Sequence, residues 1–220
     1  MEKIKLIVFI ILLTVVIIPQ KLKAPINNII ETKKNTENYI TFKQEHELFL
    51  FELNEFNRFL DDIAKRESGG NWKIYNKFGY IGLYQFGRAA LIDVGYNEIT
   101  FNKFISNPYI FPITKQNLVM VKYLHKNKTQ HLNHIIDMVT NKDIVLRGVK
   151  VTRSGVLAGA HIGGVRGVRN LMLYDIDKAD AFGTRISDYV IEFSGYDFSV
   201  DVMTHVIDSL ETELRKELII

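Results

Sequence analysis

The sequence predicts a mainly α-helical protein carrying one small irregular or β-hairpin segment. Three observations lead there. Apolar residues recur every three or four positions over 47–66, 114–139 and 199–218, the period of a helix with one buried face. A glycine- and aromatic-rich stretch over 71–86 interrupts that period and reads as a loop or short hairpin. Gly69-Gly70, Gly95 and Gly163-Gly164 fall where helical segments should end, as glycine does at helix C-termini.

At the N-terminus, Lys3 and Lys5 precede an apolar run from Leu6 to Ile18, broken only by Thr14 and closed by Pro19. A short basic region followed by such a run is the pattern of an export signal. The run is short for a membrane-spanning helix, which needs ~20 residues, and no clear small-x-small cleavage site follows it. Residues 1–23 are therefore expected to be a signal peptide or a membrane anchor, taking the chain to the periplasm or the cell exterior. Residues 24–45, rich in Asn, Lys, Thr and Glu, read as a linker. The folded domain is expected over 46–220.

Within that domain, Leu48, Phe49, Phe51, Leu53, Phe56, Phe59, Leu60, Ile63 and Ala64 define a helix that stops at Gly69-Gly70. Glu67 then sits in or just after its last turn. Residues 87–95 form a short helix ending at Gly95. Leu118, Val121, Leu124, Leu132, Ile135, Ile136 and Val139 mark one long helical pattern. Thr152 or Ser154 caps a helix through Ala160, broken at Gly163-Gly164, and a further segment runs to Leu173. Thr184 or Ser187 caps a helix that includes Tyr189, and 199–218 forms a terminal amphipathic helix.

Charge and composition narrow the function. The formal net charge is +3. Residues 1–23 hold Lys3, Lys5, Lys21 and Lys23 against Glu2, and the rest of the chain holds 24 basic and 24 acidic side chains. A nucleic-acid-binding domain is usually basic; this one is balanced. The absence of cysteine excludes disulfides, thiolate chemistry and a lipid-modified cysteine. His131 and His134 come near a ligand spacing, but no acidic partner completes a metal pattern.

Glu67 is the residue with the clearest chemical potential. Glycoside cleavage needs a carboxylic acid that is protonated near neutral pH, so that it can protonate the leaving oxygen. Glu67 lies at the end of a packed helix, against a glycine turn and before an aromatic loop, and apolar surroundings favour the neutral form of a carboxyl group. A negative charge near a helix C-terminus is unfavourable, so the position asks for an explanation. Tyr80, Tyr84, Phe86 and Trp72 read either as core aromatics or as surfaces that face a sugar.

Four short motifs follow in order: E-S-G-G at 67–70, G-Y-I-G-L-Y-Q-F at 79–86, A-G-A-H-I-G-G at 158–164 and G-T-R-I-S-D-Y at 183–189. Their order and spacing resemble the SLT-type lytic transglycosylases of the lysozyme-like superfamily and phage-like peptidoglycan hydrolases, over roughly 50–195. The resemblance implies a lysozyme-like catalytic domain with its small irregular or hairpin segment beside an active-site cleft. It implies Glu67 as general acid and then base, with Ser68 supporting its geometry. Gly82 would let backbone approach the sugar, Tyr84 and Gln85 would line the cleft, and Tyr189 would hydrogen-bond Glu67. His161 stands where the family usually has asparagine, either to donate to an acetamido group or to satisfy the loop.

The implied substrate is the glycan strand of peptidoglycan, cut by a monomer in the family's manner without metal or organic cofactor and touching membrane only through its N-terminal segment. A two-carboxylate lysozyme needs a second acid across the sugar. No acidic residue lies between Glu67 and Gln85, and Asp93 is the first afterwards. That favours a one-glutamate transglycosylase that leaves 1,6-anhydro ends. The alternatives are a muramidase on the same fold, recruiting Asp93 or a later residue, and a non-catalytic peptidoglycan-binding module.

Overall fold

The computed structural model describes residues 20–180 and 182–217. It is mainly helical with one small two-stranded antiparallel sheet. The apolar run of the expected signal or anchor lies outside the described residues. Among the described residues no helix is long and apolar enough to cross a membrane. The chain divides into two units between Phe49 and Leu50.

Helix α1 (Gln20–Ser68) starts well before the 47–66 periodicity. The segment 24–45, read as a linker, is helical rather than irregular. From Ile26 to Ser68 there is neither Gly nor Pro, so no residue type there forces the chain out of a helix. In the first unit the described side chains, among them Tyr39 and Phe42, are largely exposed. Phe42 and His46 stack one turn apart with ring centroids 6.4 Å apart.

In the second unit, α1 buries Phe56, Phe59, Leu60, Ile63 and Ala64, a set spaced three or four apart on one helix face. Phe56 and Phe59 pack on Phe198 with centroids 4.8 and 5.1 Å away. Phe59 also meets Phe193 edge-on at 6.0 Å. Burying a phenylalanine contributes about 1.5–3 kcal/mol, so this cluster anchors the end of α1. The helix stops where the glycine pair predicts. Gly69 and Gly70 take φ of +63° and +81°; the Gly69 N–H donates to the Lys65 carbonyl at 2.9 Å and the Gly70 N–H to the Ala64 carbonyl at 3.2 Å, which closes the helix end on left-handed glycine.

Residues 71–86 are turns joined by isolated antiparallel bridges between Tyr75 and Ile81 and between Ile81 and Phe86. They contain no helix, as their composition predicts. Helices α2 (Arg88–Asp93) and α3 (Phe101–Ser106) follow. Sequence periodicity did not signal α3; its mark is Thr100, whose hydroxyl caps the Lys103 N–H.

The single long pattern over 114–139 resolves into α4 (Ile113–Lys126), a π turn at Asn127–His131 and α5 (Asn133–Asn141). Asn-Lys-Thr-Gln-His supplies no apolar side chain to hold the helical stripe across the interruption. Strands β1 (Val145–Leu146) and β2 (Val149–Lys150) pair in antiparallel register, Val145 with Lys150 and Leu146 with Val149. Their turn residues Arg147 and Gly148 both have positive φ, the signature of a tight hairpin. The regular strands thus lie here, not in 71–86.

Helix α6 (Arg153–Tyr174) contains the expected break as a kink at Gly164, with φ +67° and ψ 169°. It packs on α7 (Ile186–Glu192). Gly155, Gly159, Gly163 and Gly167 make that approach close. A Cβ on Gly159 would stand 2.6 Å from Val190 Cγ2, and one on Gly163 or Gly167 would run into Ile186. Helix α7 is capped from Arg185 rather than from Thr184 or Ser187. The Asp188 carboxylate accepts the Arg185 N–H at 3.1 Å, while Ser187 lies inside the helix and donates to Asp177 at 2.6 Å. The terminal helix α8 (Val200–Glu217) packs on α4.

Candidate active site

Glu67 lies one helical turn beyond Ile63, on the same face as Phe59, Leu60 and Ile63. That register turns its side chain inward, leaving it 16% exposed. Tyr189 lies one turn before Phe193 on α7, and its side chain is buried. Phe59 touches Phe193 and Glu67 meets Tyr189, so the two helices run antiparallel and bring these side chains together. The Tyr189 hydroxyl donates to Glu67 Oε1 at 2.5 Å. Burial, and then the Glu67 charge, push the Tyr189 phenol well above its ordinary value. It therefore stays a donor. Arg66 pairs with Glu192 at 3.4 Å and lies over the Tyr189 ring, closing that side of the pair.

His161 enters from α6, just before the kink. Its Nε2 is 2.9 Å from the Tyr84 carbonyl and 3.7 Å from Glu67 Oε1. A carbonyl can only accept, so Nε2 carries a hydrogen and donates it to Tyr84. Phe86 and Tyr123 meet the imidazole edge-on, with centroids 5.8 and 6.2 Å away, and fix its plane. Of the two roles open to His161, satisfying the loop is therefore filled, while its edge remains beside Glu67.

Gln85 is held in the left-handed region, with φ +47°, a conformation that costs a non-glycine residue about 1–3 kcal/mol and that clusters at functional sites. Its carboxamide is fixed at both ends. Asn76 Nδ2 donates to its Oε1 at 3.0 Å, and its Nε2 donates to the Gly82 carbonyl at 2.9 Å. Asn76 Oδ1 in turn accepts the Phe78 N–H at 2.9 Å. The 76–86 loop is thus a braced wall.

Glu67, Gln85, His161 and Tyr189 all line one groove of about 370 Å³, together with Asn76, Tyr80, Asp180, Phe182 and Thr184. Tyr80, Gln85, His161 and Ile162 also line an adjoining lobe of about 850 Å³, which adds the aromatic rings of Phe78, Phe86 and Phe101. The two share the Tyr80, Gln85, His161 and Ile162 wall, a concave and partly aromatic surface of the kind that receives ligands.

Three expected site residues have other positions. Tyr84 is 2% exposed and donates to Asn117 at 2.9 Å; it is a core residue that reaches the site only through its backbone carbonyl. Gly82 is buried, with φ +78°, and a Cβ there would collide with the Gln116 carboxamide. Its lack of a side chain makes room for Gln116 rather than for a ligand. Ser68 donates back to the Ala64 carbonyl at 2.9 Å, bracing the helix end without touching the Glu67 carboxylate. Trp72 packs edge-on to Tyr109 at 5.5 Å and is absent from the groove lining. Asp93 lines only the larger lobe, and its carboxylate lies 2.6 Å from Lys126 Nζ.

Sequence reasoning missed Gln116, Asn76 and Asp180. Gln116 is fully buried. It accepts the Leu83 N–H and donates to the carbonyls of Trp72 and Phe111 at 2.8 and 2.6 Å. Its signal was available: a glutamine one turn before Met120 on an otherwise buried face of α4. Asp180 lines the Glu67 groove and accepts the N–H groups of Phe182 and Thr184 at 2.8 Å each. Among the described residues, no three of His, Cys, Asp and Glu stand close enough to hold a metal ion.

No family model, no curated protein and no solved structure matches this chain.

Proposed function

We propose that this protein is a lysozyme-like lytic transglycosylase that cuts peptidoglycan strands after N-acetylmuramic acid. One observation carries the reading: an inward-facing carboxyl group, hydrogen-bonded by a buried tyrosine, opens onto a groove with an aromatic wall. The four motifs that resemble that superfamily supply Glu67, Tyr80, Gln85, His161, Ile162, Thr184 and Tyr189 of the groove lining.

The chemistry follows from a single carboxyl group. Protonated Glu67 gives its proton to the bridging oxygen as the C1–O bond breaks. The substrate's 2-acetamido oxygen stabilises C1. The Glu67 carboxylate then takes the proton of the C6 hydroxyl, O6 bonds to C1, and a 1,6-anhydro ring closes. Glu67 ends protonated and no water is consumed. Tyr189 holds Oε1 throughout, which fixes the direction in which the carboxyl presents its proton. His161 holds the loop wall against the same carboxylate.

Asp180 favours a second reading, hydrolysis. It is a second carboxylate on the same groove, and an inverting or retaining glycosidase uses such a partner. Purified peptidoglycan digested by the protein and analysed by mass decides between them. Anhydro ends are expected, and they should disappear in Glu67→Gln. Reducing ends that disappear in Asp180→Asn would establish the muramidase instead. Digestion by Glu67→Gln at the parent rate would overturn both and leave a binding module.

A further inference from the structure

Beside the Glu67 groove lies a cavity of about 350 Å³ that shares Ile162 and Asp180 with it. Arg166 on α6 and Lys178 in the following loop line this cavity, with Asn170 between them in sequence. Three other arginines near the site are paired with carboxylates. Arg66 meets Glu192 at 3.4 Å, Arg147 meets Asp188 at 2.6 Å and Arg185 meets Asp177 at 3.5 Å. Among the described residues, neither Arg166 nor Lys178 has a carboxylate oxygen within 4.0 Å. The carboxylate that does line the cavity, Asp180, has one oxygen committed to two backbone N–H groups. The cavity therefore holds two unpaired cations against one carboxylate, next to the groove.

Guanidinium groups bind carboxylates through two parallel hydrogen bonds, and ammonium groups add a point charge. The kinked helix provides a wall without side chains at Gly163 and Gly167, so a ligand can lie against backbone. Resting on the peptidoglycan reading, we propose that this cavity receives a carboxylate of the peptide borne by the muramic acid lactyl group. A strand lying in the groove carries that peptide as a side branch, and the cavity opens off the groove where Ile162 and Asp180 join the two. The protein thereby prefers peptide-bearing strands to bare glycan.

Binding measured by titration calorimetry tests this without relying on turnover. The probes are soluble tetrasaccharides of alternating N-acetylglucosamine and N-acetylmuramic acid: peptide-bearing, peptide-free, and peptide-bearing with its carboxylates amidated. Full-length Glu67→Gln protein keeps the ligand uncut. It should bind the peptide-bearing form about tenfold tighter than the bare form, a difference of about 1.4 kcal/mol. Adding Arg166→Gln and Lys178→Gln, both at exposed positions, should bring the two forms to parity, and so should amidation. Equal affinity before those substitutions, or a preference that survives them, overturns the inference and leaves the glycan reading standing. Failure of every tetrasaccharide to bind overturns both. Matching thermal melts of the variants establish that the fold is kept.

Discussion

Tyr189 donates a 2.5 Å hydrogen bond to Glu67 across 122 residues of sequence. The pairing is set by helix register rather than by a loop. Glu67 lies two turns past Phe59 on α1 and Tyr189 one turn before Phe193, so the Phe59–Phe193 contact in the hydrophobic core sets the distance between acid and donor.

Tyr189→Phe keeps the ring and removes only the donor. A hydrogen bond to a charged group contributes about 1.5–3 kcal/mol. The release of soluble muropeptides from purified walls should therefore slow about ten- to a hundredfold, with the fold kept and the thermal melt lowered by several degrees. A variant as active as the parent would mean that Glu67 is oriented by something other than this hydroxyl.

The parts of the site that sequence made legible are those set by periodicity and glycine. Apolar spacing placed Glu67 at the end of a packed helix, and Gly69-Gly70 placed that end correctly. The kink at Gly164 was legible for the same reason. Side-chain roles that depend on depth were not. Tyr80 and Tyr84 are four residues apart in one aromatic loop, yet only Tyr80 reaches the groove; the turn geometry that separates them has no counterpart in composition. Gln116 lies on a different helix from the loop it braces, so its role is a tertiary property. The hairpin at 145–150 has strands of two residues each, too short for an alternating pattern to register.

Gln116→Leu tests how far the loop depends on one buried carboxamide. The substitution keeps volume but strands the Leu83 N–H and the Trp72 and Phe111 carbonyls. A buried unsatisfied group costs about 1–3 kcal/mol, so a loss of about 3 kcal/mol is expected in urea unfolding. Faster hydrogen exchange at the Leu83 amide should accompany it. Unchanged exchange there would show that the loop is held by its own turns.

Gly159→Leu should be among the most damaging changes in α6. Even a Cβ would stand 2.6 Å from Val190 Cγ2, so α7 must shift away and carry Tyr189 with it. Overpacking of this kind costs about 1–3 kcal/mol or more, and activity should fall together with stability. Gly159→Ala should show the same direction at smaller size. If Gly159→Leu melts like the parent, the close approach of α6 and α7 is wrong.

The bond from Tyr196 to Asp62, 2.7 Å long, should leave its mark on stability at both ends of the pH scale. The Tyr196 hydroxyl holds the Asp62 carboxyl below its ordinary 3.8, ahead of the contributions of Lys65 and Arg58. A lowered acid stabilises the fold fully above the unfolded value and loses that stability as pH falls through the folded value. Burial, then Asp62, push Tyr196 from 10.0 up to about 12. A raised phenol stabilises fully below pH 10 and loses that stability as pH climbs from 10 towards about 12. Urea midpoints measured against pH should therefore drop at both extremes. Tyr196→Phe should flatten both limbs relative to the parent, because it removes the alkaline titration and the partner that lowers Asp62. Limbs of unchanged steepness in that variant would show that other groups carry the pH dependence.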